Sequence, residues 1–111
     1  MKKRLFIINF KTYKKATGKN ALILAKKLNK VNGDIAIAVE ATDINLISRN
    51  CKNLQVFSQY IDPTEPDKHT GSLTAFAVKK SGAEGTLINH SEKPLKFREI
   101  KKTVYLAKKI K

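Results

Sequence analysis

The sequence is poor in the residues that specialise a protein. A single cysteine, Cys51, excludes an internal disulfide and any close pair of thiolate metal ligands, and it fits a reducing compartment. Read by itself, Cys51 is a small apolar residue near a helix end, and no redox or nucleophilic role is assigned to it. With only three prolines and five glycines beside 41% hydrophobic residues, the chain is neither low-complexity nor disordered. Long apolar runs are missing too. The apolar run that directly follows Met1-Lys2-Lys3-Arg4 covers only residues 5–8, far short of a secretory core or of the roughly 20 residues of a membrane span. The expectation is a soluble cytoplasmic protein with no membrane partner.

Acidic residues are scarce: 9 stand against 23 basic ones, for a formal net charge of +14. Such an excess points first to an anionic partner such as nucleic acid. The basic residues are, however, lysines in all but three cases, Arg4, Arg49 and Arg98. Many fall as doublets (Lys14-Lys15, Lys26-Lys27, Lys79-Lys80, Lys101-Lys102, Lys108-Lys109), mostly within amphipathic helical patterns, where they read as solvated outer faces. The guanidinium forks and stacking aromatics that base recognition uses are few. No specific nucleic-acid partner is expected, only weak non-specific association at low salt.

What the sequence does contain is alternation. Four β-rich segments, 5–10, 35–39, 55–59 and 85–89, are bounded by turn-forming or charged residues. Between the first two, Ala21, Leu24, Ala25, Leu28 and Val31 form a helical stripe, with Gly33 as its stop. After the fourth, Phe97, Ile100, Val104 and Ala107 repeat likewise, with lysines opposite as far as Lys111. Shorter helices are predicted over 44–49 and 73–81, the latter closed by Gly82. The order βαβαβαβα implies α/β architecture with parallel strands and right-handed crossovers, in an open doubly wound sheet or in part of a barrel. Neither a dinucleotide fingerprint after the first strand nor a phosphate-cradling P-loop is present, so nucleotide folds lose weight. At 111 residues the chain amounts to a single domain.

In α/β folds, active groups collect beyond the carboxyl ends of the strands, and here those ends carry Asn9, Lys11, Gln59 and His90. The same residues sit in a set of motifs. Asn9-Phe10-Lys11-Thr12-Tyr13, Ala16-Thr17-Gly18, Ala41-Thr42-Asp43-Ile44, Ile61-Asp62-Pro63, His69-Thr70-Gly71 and Gly85-Thr86-Leu87-Ile88-Asn89-His90-Ser91-Glu92 follow one another along the whole chain. In order and spacing they resemble archaeal-type triosephosphate isomerase.

The resemblance implies the first four βα units of a (β/α)₈ barrel, residues 1–111 forming the N-terminal half of one incomplete domain. It implies an isomerase that interconverts dihydroxyacetone phosphate and glyceraldehyde 3-phosphate in glycolysis and gluconeogenesis, with no cofactor and no metal. By position, Asn9 and Lys11 match the substrate-binding pair, Lys11 also stabilising developing enediolate charge. His90 matches the catalytic electrophile, a neutral imidazole at a helix N-terminus; residues Ser91-Glu92 are expected to open that helix. Glu92 matches a structural acid that orients its neighbours. Thr70, with His69 beside it, matches the tip of a loop that reaches into a neighbouring subunit, so the partners expected are a phosphorylated triose and either a homo-oligomer or a complementing C-terminal half.

Departures from the family pattern accompany these matches. Asp67-Lys68 replaces Gly-Ser before His69, which stiffens and charges the interface loop. Residues 73–76 replace a Leu-Pro-Glu helix opening, Glu40 stands where glutamine is common, and Lys93-Pro94 replaces two basic residues. A full barrel has eight strands, and the family's catalytic glutamate and phosphate-binding loops belong to the second half. The chain by itself is therefore expected to be inactive and to leave its first and fourth strands as open edges. The alternative is a non-catalytic half-barrel that self-associates or binds anions.

Overall fold

A computed structural model describes residues 4–110; residues 1–3, with Lys2 and Lys3 of the basic start, and Lys111 lie outside the described residues. Four strands, β1 (Leu5–Asn9), β2 (Asp34–Val39), β3 (Gln55–Ser58) and β4 (Gly85–Thr86), form one parallel sheet in the order β1-β2-β3-β4. They alternate with α1 (Lys19–Leu28), α2 (Ile44–Asn50), α3 (Ala75–Ser81) and α4 (Phe97–Lys109). Sequential parallel neighbours joined by helices are the arrangement of half a (β/α)₈ barrel. No described helix is long and apolar enough to cross a membrane.

Strand parity sorts the side chains into two faces. Ile8 lies opposite Ile37 and Ile37 opposite Val56, and Ile37 and Val56 belong to the core that α1 and α2 cover with Ala21, Ala25, Ile44 and Ile47. The alternate row runs Asn9, Ala38, Phe57, Gly85 across all four strands and therefore points to the opposite side of the sheet. Size alternates along that row for a packing reason: a Cβ on Gly85 would lie 2.8 Å from the Phe57 ring. Inside the sheet, β2 is buried from Ile35 to Val39, as a parallel strand with neighbours on both sides should be. Among the described residues the edge strand β1 has no such cover. Its residues Leu5, Phe6 and Ile7 are all exposed, Phe6 at 61%.

Several boundaries depart from the sequence reading. The strand expected over 85–89 pairs only at Gly85–Thr86; Leu87 N–H still reaches the Ser58 carbonyl at 2.9 Å, and the chain turns away at Asn89 with φ +57°. Helix α1 ends at Leu28, so Val31 falls in the following turn and is 52% exposed, and Gly33 (φ +134°) leads into β2 rather than capping the helix. Leu24 is also exposed; it lines a shallow hollow with Ile8 and Phe10 beside the open β1 edge. In α4 the buried face is carried by Thr103 and Leu106, whereas Phe97 at the first turn is 75% exposed. Helix α3 begins at Ala75 rather than at residue 73, since the Thr74 side chain accepts the Ala77 N–H and fixes the cap there. Cys51, directly after α2, is buried, and desolvation pushes its thiol above the usual range.

Candidate active site

The chain leaves β1 through a tight local turn. Asn9, its last residue, accepts the Lys11 N–H on Oδ1 at 2.9 Å, and Lys11 adopts φ +55°, the left-handed region that a residue with a Cβ rarely enters. Asparagine suits this position because its short carbonyl can replace a backbone acceptor two residues on. From the end of β3, Gln59 reaches across and donates Nε2–H to the Lys11 carbonyl at 2.8 Å.

The end of β4 supplies the other wall. Asn89 is the second non-glycine residue at positive φ (+57°), and its Oδ1 accepts the Leu95 N–H at 2.9 Å. Residues 90–93 then make a turn closed by Lys93 N–H to the His90 carbonyl at 2.8 Å. The helix expected to open at Ser91-Glu92 is not there: α4 starts six residues later, after Pro94, with Glu99 Oε1 accepting the Lys96 N–H at 2.9 Å. The turn nevertheless aims a backbone donor at the imidazole, Glu92 N–H to His90 Nδ1 at 3.0 Å. In a neutral His90 this contact makes Nδ1 the acceptor and puts the proton on Nε2.

An ion pair joins the two walls. Lys11 Nζ lies 2.9 Å from Glu92 Oε1, and Glu92 Oε2 lies 3.6 Å from His90 Nδ1. The hydrogen bond and charge of Glu92 raise the Lys11 pKa above its ordinary value, and the Lys11 hydrogen bond lowers that of Glu92. Between the walls lies a cavity of about 390 Å³, lined among others by Asn9, Lys11, Tyr13, Gln59, His90 and Lys93. Lys93 Nζ stands 4.9 Å from the Tyr60 ring centre, a second cation at the rim.

Asn9, Lys11, Gln59 and His90 are thus brought to one cavity, as strand-end placement predicted. Thr70 and His69 do not line it. They belong to the exposed loop between β3 and α3, where His69 Nε2 is 3.4 Å from Thr64 Oγ1. That loop is pinched at its base by Asp62, whose carboxylate accepts the Leu73 N–H (2.6 Å) and the Tyr60 hydroxyl (3.0 Å). Lys93 and Tyr60 were missed as cavity residues. An Asn-x-Lys or His-Ser-Glu motif is visible as spacing, whereas the Lys93–Tyr60 stack depends on two loops meeting. Among the described residues no three His, Cys, Asp or Glu side chains converge as a metal site.

The chain as a whole is similar to known proteins. The family model described as triosephosphate isomerase matches residues 4–111. The triosephosphate isomerase of Methanothermus fervidus is 43% identical over 108 residues, covering 94% of this chain and 48% of that protein. That of Methanocaldococcus jannaschii is 37% identical over 110 residues, covering 96% and 50%. The chain spans about half the length of the curated relatives it matches. Among solved structures, a triosephosphate isomerase from Bartonella henselae superposes with a TM-score of 0.76 over 95% of this chain and 47% of that one; at 21% identity this likeness concerns the fold.

Proposed function

The chain belongs to the triosephosphate isomerase family, and from that premise we propose that residues 1–111 supply one half of a barrel and one half of its catalytic site. The reaction is the interconversion of dihydroxyacetone phosphate and glyceraldehyde 3-phosphate by proton transfer through an enediolate. In this reading Asn9 and Lys11 hold the substrate, and the Lys11 ammonium balances charge as the enediolate forms. His90 donates from Nε2 to the substrate oxygens, the role a neutral imidazole plays in this enzyme family while a glutamate takes the proton. That glutamate and the phosphate-binding loops come from the second half of the fold. The proton moves between adjacent carbons, so the chemistry calls for neither cofactor nor metal. Thr70 and its loop serve subunit contact in a cytoplasmic glycolytic and gluconeogenic oligomer.

One observation carries the reading: the Glu92 amide occupies His90 Nδ1 at 3.0 Å while Lys11 Nζ is held against the same Glu92 at 2.9 Å. An imidazole whose Nδ1 faces a backbone donor and a cation thereby share one cavity of small-molecule size. A general base typically contributes about 10²–10⁴-fold, so the chain alone should turn over poorly. Mixing it with the separately expressed C-terminal half of the Methanothermus fervidus relative should restore isomerase turnover. A folded complex that stays inactive would favour the second reading, a non-catalytic half-barrel that self-associates or binds anions, for which the exposed β1 and the charge of +14 speak.

A further inference from the structure

We infer that Gln59 is a positioning residue, whose side-chain amide holds the Lys11 backbone in its left-handed conformation and thereby delivers the ammonium to Glu92 and the cavity. The functional importance of that cation rests on the isomerase reading above; the conformational claim does not.

Lys11 sits at φ +55° with a Cβ, a conformation that persists only where the surroundings over-determine it. Both of its backbone polar atoms are engaged by side chains. Its N–H goes to Asn9 Oδ1 at 2.9 Å, within the same turn, and its carbonyl takes the Gln59 Nε2–H at 2.8 Å, from a strand two places away in the sheet. The second Gln59 amide hydrogen is directed at the Ala38 carbonyl, 3.2 Å away, which also accepts the Phe10 N–H at 2.9 Å. Gln59 is therefore fastened to the end of the β1–β2 ladder and to Lys11 at once. The Asn9 bond ties Lys11 only to the end of its own strand, whereas the Gln59 bond ties it to the end of β3, two strands away. Only an amide fits: a carboxylate would set an acceptor against two carbonyls, and a thioether would leave the Lys11 carbonyl without its partner.

Isotope-labelled chain examined by NMR tests this without any need for turnover. In the parent, Lys11 should show the strong intraresidue amide-to-Hα contact of a positive φ, and its ammonium should titrate above the ordinary lysine value because of Glu92. Gln59→Met should abolish the first signature and return the titration toward the ordinary value, with the β2 and α2 amide resonances unmoved. Retention of both signatures in Gln59→Met would overturn the inference. Should Gln59→Met fail to fold, Lys11→Gly in the same background decides. Glycine accepts positive φ freely, so the double variant should regain the fold if Gln59 serves residue 11. An equally damaged double variant would mean that Gln59 merely caps the sheet, and the inference would fall. Turnover after reassembly with a C-terminal half is a separate readout: its absence with Gln59 intact would count against the isomerase reading and leave the NMR result standing.

Discussion

At the residue scale, the site is an electrostatic unit of Lys11, Glu92 and His90 set on two strained turns. The ion pair is solvent-exposed, so its effect is better read from titration than from stability. The sign follows from the shifts. Glu92, lowered from an ordinary value of 4.5, contributes above that value and loses its contribution as pH falls through its folded pKa. Lys11, raised from 10.5, contributes below that value and loses its contribution as pH rises through its own. The pair is thus intact across the neutral range. Replacing Glu92→Gln should lower the Lys11 pKa toward 10.5, as followed by side-chain NMR; an unmoved titration would show that the 2.9 Å contact does not persist in solution. The types and spacing of Asn9, Lys11 and His90 were legible because strand ends in α/β folds are fixed by hydrophobic pattern. The positive φ of Lys11 and Asn89 was not, since neither is glycine and the strain is imposed by Asn9, Gln59 and the turn at 90–93.

At the element scale, caps rather than periodicity decide where helices stop. Gly82, at φ +114°, ends α3, and a Cβ there would run into the Ser48 side chain of α2. Gly82→Ala should cost about 1–3 kcal/mol in chemical denaturation, from left-handed strain and overpacking together. Thr74→Ala removes the N-cap bond to Ala77 at 3.1 Å and should cost about 1 kcal/mol. This helix was read correctly at its end and two residues early at its start: a glycine announces a C-cap, whereas Leu73 is apolar and helix-compatible but bonded to Asp62 instead. The stripe of α4 holds in part: Ala107 packs against the core cluster, whereas Phe97 at the first turn is exposed and the most buried positions are Thr103 and Leu106.

At the scale of the whole molecule, a half-barrel exposes what a full barrel would bury. Among the described residues, Leu5, Phe6, Ile7 and Ile8 on β1 lie open, and β4 has an unpaired side. The purified 111-residue chain should bind an apolar-surface dye, and supplying a C-terminal half should suppress that signal; a chain that binds no dye would contradict the open edge. The α/β order along the chain was legible from alternation alone, whereas the choice of barrel over open sheet, and with it the order of strands in the sheet, came from motifs, because periodicity is the same in both. The central claim, that this chain carries the electrophile and the cation of a triose-phosphate isomerase, is tested most directly by one comparison of turnover. Reassembled with a relative's C-terminal half, the parent chain should isomerise dihydroxyacetone phosphate, and His90→Gln should lose about 10²–10³-fold, the usual loss for an oxyanion donor. Equal turnover from parent and His90→Gln assemblies would contradict it.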